Sequence, residues 1–376
     1  MQQLRKHPIL VLLLVFVLSI GACHVARSAW YLTSNITDYK IFPSRVISNG
    51  NQPESLPYAT DPKFPKSITY DHDSFTVDEF MKEHKTVAFL ILWKDSIQYE
   101  GYYNGYVDSS ITTSFSMAKS IVSLLTGCAI QEGYIGGVDD PVLKYLPELK
   151  GRGFDSMHIK NLLQMTADLD FKESYINPFT TMPKFYYGRH INKETFKLKS
   201  KYTSESKFNY QSPSTQILAL ILTRALKDKT LSQYLQEKIW TPMQMEFPAT
   251  WSLDQKNGME KAFCCVNARA RDFAKLGLLV KNFGEWKGQQ LVPREWIRQC
   301  MQVDTANGSA KFYEYQWWHY GNQIIYANGH LGQYIFVKPD SDLVIVRLGE
   351  NYGKVFWPAL MFKLSQAYGK EAFLGK

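Results

Sequence analysis

Ser116 and Lys119 stand three residues apart at the head of the apolar run Ser120-Ile121-Val122-Ser123-Leu124-Leu125. On a helix that spacing puts both side chains on one face. Helical side chains lean back toward the N-terminus, so the Lys119 amine reaches the Ser116 hydroxyl. A serine in the first turn also feels the positive end of the helix dipole, beside unpaired backbone N–H groups. Burial would lower the lysine pKa and leave an amine able to take the serine proton, which is the chemistry of an activated nucleophile. Read alone, the pair is also an N-cap serine followed by a solvated lysine. The same S-x-x-K spacing recurs at Ser204 and Lys207, in the polar stretch from Lys199 to Asn209 with no amphipathic helix behind it. Context, not the motif, singles out Ser116.

Two further pieces carry chemistry. Tyr210-Gln211-Ser212 sits in a turn just before an apolar helical segment, where a tyrosine can point into a cleft. A phenol near pKa 10 is a poor base unless a cation stabilises its phenolate, and Lys119 is one cation that could supply this. The same Y-x-S or Y-x-N pattern occurs at Tyr102, Tyr175, Tyr202, Tyr320 and Tyr326, and a half-buried tyrosine anchoring a loop is the other reading. Asn328-Gly329-His330-Leu331-Gly332-Gln333 then runs into the apolar stretch Tyr334 to Val337. Glycines at a strand edge allow close backbone approach, and an edge N–H there can pair with that of Ser116 as an oxyanion hole; a plain glycine hairpin is the alternative. Other searches return nothing: no serine has Gly at both −2 and +2, and there is no H-E-x-x-H and no G-x-x-x-x-G-K.

The elements that must hold these residues follow from pattern. Thr76 to Lys85 reads as a short capped helix, and Val87–Trp93 with Ile97–Tyr103 as a β-hairpin around Lys94-Asp95-Ser96. A helix runs from about Ser116 to Glu132 and stops at Gly133. From 138 to about 298 the pattern is largely helical, with segments near 158–165, 213–228, 230–239 and 270–283. Strands return at 323–328, 333–338 and 342–348, with Pro339 to Asp342 as a turn, and a last helix covers about 355–368. Strands at both ends with helices between predict an α+β fold: an antiparallel sheet flanked by helices, with a mostly helical lobe inserted.

Arg5, Lys6 and His7 precede a 14-residue apolar run from Ile9 to Ala22 with no acidic residue before it. That is the layout of a secretory signal, and a run this short is poor material for a membrane span. Ile20-Gly21-Ala22-Cys23 resembles a bacterial lipobox, which implies cleavage before Cys23 and lipid attachment to its thiol. The expected organisation is therefore a signal peptide at 1–22, an irregular N-terminal arm at 23–75, and one catalytic domain at 76–376. The protein is expected to be exported and membrane-anchored in the cell envelope. The chain has 376 residues, 45% of them hydrophobic, with nine Trp, 23 Tyr and 22 Phe, which excludes a disordered chain. Five Cys exclude a disulfide scaffold, and Cys264 and Cys265, adjacent in sequence, are poor partners for each other, so no bridge is indicated. The net charge of +8 comes from 43 basic against 35 acidic residues that are scattered, so no nucleic-acid partner is expected.

Taken in order, Ser116-Met117-Ala118-Lys119, Tyr210-Gln211-Ser212 and the strand after Gly329 resemble the serine β-lactamase and penicillin-binding-protein superfamily. The resemblance is to its class C-like branch, with 6-aminohexanoate-dimer hydrolases and related esterases. It spans about residues 85–376 and extends to Asp170-Phe171-Lys172-Glu173-Ser174-Tyr175, Ala270-Arg271-Asp272-Phe273-Ala274 and Gln316-Trp317-Trp318. It implies Ser116 as the acylated nucleophile, with Lys119 and Tyr210 sharing its proton. It also implies the backbone N–H groups of Ser116 and His330 as oxyanion donors, and Tyr175, Ser212 and Gly329 as substrate contacts. It brings no metal or cofactor. Where the superfamily has K-T-G this chain reads Ala327-Asn328-Gly329, so a β-lactam carboxylate would lack its usual cationic partner. The expected activity is cleavage of a small ester or amide through an acyl-enzyme. The alternatives are a D-amino-acid-specific peptidase or penicillin-binding protein acting on cell-wall peptides, and a catalytically silent envelope lipoprotein.

Overall fold

Strands from the two ends of the chain meet in one sheet in the computed structural model, which describes residues 24–31, 33–174, 180–306, 308–321 and 324–368. The early hairpin is β2 (Thr86–Trp93) and β3 (Ser96–Tyr102), preceded by helix α1 (Val77–Glu83) and by strand β1 (Ser44–Ile47). Short strand β4 (Thr112–Thr113) leads into α2 (Met117–Gln131). The middle of the chain supplies α3 (Ser212–Ala225), β5 (Ala249–Ser252), β6 (Val266–Ala268) and α4 (Ala270–Lys281). The tail supplies β7 (Tyr313–Glu314), β8 (Trp317–His319), β9 (Ile325–Gly329), β10 (Gln333–Lys338), β11 (Leu343–Gly349) and α5 (Trp357–Ser365). Seven strands pair antiparallel in the order β7-β8-β9-β10-β11-β2-β3. The seam between β11 and β2, with Val346 opposite Leu90 and Val344 opposite Leu92, joins the two termini.

Both faces of this sheet are covered, which is why its strands read as unbroken apolar runs. Ala88, Leu90 and Leu92 of β2 face a core built with α2 and α4, while Phe89 and Ile91 face a second core with Phe80 of α1 and Trp357 and Leu360 of α5. Each fully buried Leu, Ile or Phe among them contributes about 1.5–3 kcal/mol. Gly277 lets α4 lie close on the sheet, since a Cβ there would stand 2.5 Å from Val344 Cγ1. The expected cap at Thr76 is a full capping box: Glu79 N donates to Thr76 Oγ1 and Thr76 N donates to Glu79 Oε2. The hairpin turn places Lys94 and Asp95 at φ 51° and 60°, the geometry that matches strand twist.

Two stretches differ from expectation. Within 138–298, β5 and β6 form a second, four-stranded sheet in the order β1-β5-β6-β4, so this region is not simply helical. The arm before residue 76 is only partly irregular: β1 pairs with β5, residues 24–31 are helical, and Ser67–Tyr70 pairs with Asp73–Thr76. Strands of two to four residues are too short to show a period, so only their partners reveal them. The signal segment and Cys23 lie outside the described residues, as does Tyr175.

Candidate active site

Ser116 is seated by its approach path. Just after β4, Ser114 N donates to Val266 O at 2.8 Å and Val266 N donates to Ser114 Oγ at 3.1 Å, which pins the chain to β6. Phe115 then takes φ 43°, a left-handed conformation that costs a bulky residue about 1–3 kcal/mol and turns the chain into α2. Ser116 stands at the N-cap of that helix, yet its hydroxyl makes no capping bond. Instead it lies 2.8 Å from Lys119 Nζ, accepting from the ammonium and able to donate to the free amine. The simple capping reading is thereby excluded.

Lys119 is 1% exposed. Its Nζ reaches three oxygens: Ser116 Oγ at 2.8 Å, Phe263 O at 2.9 Å and Ser212 Oγ at 3.1 Å. Burial lowers its pKa from 10.5 to about 8, with the Glu173 charge pulling the other way. Near neutral pH a usable fraction is a free amine beside the nucleophile.

Tyr210 comes in from the loop before α3. Its ring packs on Trp318, with centroids 5.4 Å apart, and edge-on to Tyr313 at 6.1 Å. Lys119 Nζ lies over the ring face, 5.0 Å from the centroid, and the phenol hydrogen-bonds the Ser116 side chain. Burial, then the Glu173 charge, pushes the phenol well above its ordinary range, and the hydrogen bond with Ser116 pulls the other way.

The edge of β9 closes the site. A Cβ on Gly329 would stand 2.3 Å from Ser114 O, so only glycine lets the strand end lie against the residue two before the nucleophile. His330 follows, its ring edge-on to Phe115 at 5.4 Å. The turn beyond it, at Leu331 and Gly332, is clamped by the fully buried Arg347. That guanidinium donates to Gly332 O at 2.6 Å, Leu331 O at 3.3 Å, His84 O and Asn351 O at 2.9 Å and Thr86 Oγ1 at 3.0 Å, and lies 3.9 Å over Trp357.

The structure therefore brings together Ser116, Lys119, Tyr210 and Ser212, and sets Gly329 and His330 beside them. Ser212 does not match its expected role as a substrate contact. It is fully buried, and its hydroxyl is taken by Lys119 and by Glu173 Oε1 at 2.6 Å, because it opens α3 beneath the site. Glu173 and Arg347 had no role in the sequence reading; their signal is a contact with residues far away in the chain. A second correction concerns the cysteines. Cys264 and Cys265 form a disulfide with each other, Cα atoms 3.7 Å apart, fully buried, while Cys128 and Cys300 are free. The bridged pair directly follows Phe263, whose carbonyl holds Lys119. Cys264 O accepts from Trp251 Nε1 at 3.0 Å, and Cys265 takes φ 74°.

A model of the Beta-lactamase family matches residues 76–351. A curated 6-aminohexanoate-dimer hydrolase from Paenarthrobacter ureafaciens is 26% identical over 304 residues, 75% of each chain. A solved Bacillus anthracis structure, provisionally described as a 6-aminohexanoate-dimer hydrolase, superposes with TM-score 0.79 at 22% identity, covering 88% of this chain and 92% of its own. FmtA from Staphylococcus aureus superposes with TM-score 0.60 at 14% identity, covering 82% and 92%. These two likenesses speak to the fold alone.

Proposed function

The chain belongs to the Beta-lactamase family and is a serine hydrolase, and we propose that it cleaves a small ester or amide through an acyl-enzyme at Ser116. The observation that carries this reading is the 2.8 Å contact between a fully buried lysine amine and a half-buried serine hydroxyl that caps nothing. As the Ser116 oxygen bonds to the substrate carbonyl carbon, its proton passes to Lys119. The backbone N–H groups of Ser116 and His330 are the proposed donors to the resulting oxyanion. When the carbonyl–heteroatom bond breaks, the neutral Tyr210 gives its proton to the leaving oxygen or nitrogen and takes one back from Lys119. Water then attacks the ester, gives a proton to the same pair, and Ser116 leaves as the hydroxyl. Support for an ester or amide substrate comes from the curated relative, which is named for the 6-aminohexanoate dimer.

The test is adduct mapping by mass spectrometry after incubation with a fluorophosphonate and, separately, a penicillin. A Ser116 adduct with the fluorophosphonate alone is the expected result. Adducts with both would move the reading to a penicillin-binding protein, and none with either would overturn it. We also propose that the protein works from a membrane surface, exported and held by a lipid on Cys23; the apolar run Ile9 to Ala22 and the sequence Ile20-Gly21-Ala22-Cys23 support this. Metabolic labelling with a fatty-acid analogue should mark the native chain, and Cys23→Ser should abolish the label.

A further inference from the structure

The three oxygens around Lys119 Nζ are not equivalent, and the difference leads to a residue outside the nucleophile and its two proton carriers. Phe263 O, at 2.9 Å, is a carbonyl and can only accept. Ser212 has one hydroxyl proton, and its Oγ lies 2.6 Å from Glu173 Oε1, while its backbone N–H donates to Glu173 Oε2 at 2.8 Å. A carboxylate can only accept, so the Ser212 proton points at Glu173 and its oxygen must accept from Lys119 at 3.1 Å. Both hydrogens of a neutral lysine amine are then committed, one to Phe263 O and one to Ser212 Oγ. The remaining direction, the lone pair, falls on Ser116 Oγ at 2.8 Å.

Building on the acyl-enzyme reading, we infer that Glu173 is a positioning residue that acts through Ser212 to aim the Lys119 lone pair at the Ser116 hydroxyl. No atom is transferred to Glu173; it sets the order in which three hydrogen bonds point. The titratable groups that face Lys119 are Glu173 itself and Tyr210, whose ring lies under the amine. Removing the Glu173 charge therefore lowers the Lys119 pKa further, while the orientation of the amine is lost.

The experiment is the rate of Ser116 labelling by a fluorophosphonate across pH, in the native protein and in Glu173→Gln and Glu173→Asp, each checked for an unchanged circular dichroism spectrum. The glutamine amide presents an N–H to Ser212 Oγ, reverses that hydroxyl and draws the lysine lone pair away from Ser116. Glu173→Gln is expected to slow labelling on the order of 10²–10⁴-fold, as fixing a base in the wrong tautomer does elsewhere. Its acid limb should also move to lower pH. Glu173→Asp keeps an acceptor and a charge and should stay within about tenfold of native, since the shorter arm costs alignment only. A purely packing role predicts the reverse order, because glutamine is the closer match in shape. Glu173→Gln labelling as fast as Glu173→Asp would overturn the inference while leaving Ser116 as the nucleophile. A native protein that forms no Ser116 adduct would overturn the acyl-enzyme reading and the inference with it.

Discussion

Lys119 and Lys261 are both fully buried, and Lys119 is held by Phe263 O, only two residues beyond Lys261. Burial lowers their pKa values from 10.5 to about 8 and about 7 respectively. By burial alone Lys261 would be the better base. What separates them is the chemistry of their neighbours. Lys261 Nζ donates to Tyr186 O at 2.7 Å and Phe185 O at 3.1 Å, and lies 4.8 Å over the Phe42 ring. Carbonyls cannot give a proton. Lys119 has one carbonyl and two hydroxyls, and one of those hydroxyls belongs to a serine with nothing else to cap. A depressed lysine pKa marks a base only where a proton donor stands within reach.

The largest effect that would break this contrast is on Lys119. Lys119→Met should lower ester turnover on the order of 10⁴-fold or more with the fold retained, as loss of a base does in other activated-serine sites. Steady-state kinetics beside a melting curve would check it. Next comes the seating of the nucleophile. Gly329→Ala puts a Cβ 2.3 Å from Ser114 O. It should cost about 10²-fold in kcat through displacement of Ser116, with KM changing less. If turnover were unaffected, proximity of Ser116 to the amine would not be what distinguishes Lys119.

A smaller effect is the pH profile. Lys119 works as the free amine, so kcat/KM should fall about tenfold per pH unit below its pKa of about 8 and level off above it. The smallest expected change in rate belongs to Lys261→Met, which should keep turnover within about threefold. It should lower stability by about 1–3 kcal/mol for each carbonyl left unpaired. The sign of its pH dependence follows from linkage. Below about pH 7 native Lys261 carries the full cost of a buried charge, and that cost fades as pH rises toward the unfolded value of 10.5. Native stability should therefore climb over that window more steeply than that of Lys261→Met. Chemical denaturation at several pH values would measure it, and a large loss of kcat in folded Lys261→Met would sink the distinction between the two lysines.

Much of this molecule was legible before folding was considered. The hairpin at Thr86–Tyr102, the helix at Met117–Gln131 and the closing strands from Ile325 to Gly349 have patterns long enough to show a period. Ser116 and Lys119 were readable as a pair because they share one helix, where spacing alone sets distance. Glu173 and Ser212 are 39 residues apart, and Arg347 grips His84 O from 263 residues away, so their contacts leave no local trace.

Composition, periodicity and the i, i+3 spacing determined an α+β fold with its sheet closed by both chain ends, and a serine with a lysine in reach. These follow from backbone geometry, which any local stretch carries with it. Only the tertiary structure decided that Lys119 is buried and Ser116 uncapped, that Ser212 lies beneath the site, that Cys264 and Cys265 are bridged, and that the Lys261 amine is held by carbonyls. Desolvation and the direction of a hydrogen bond depend on what packs around a group, and those neighbours come from distant parts of the chain.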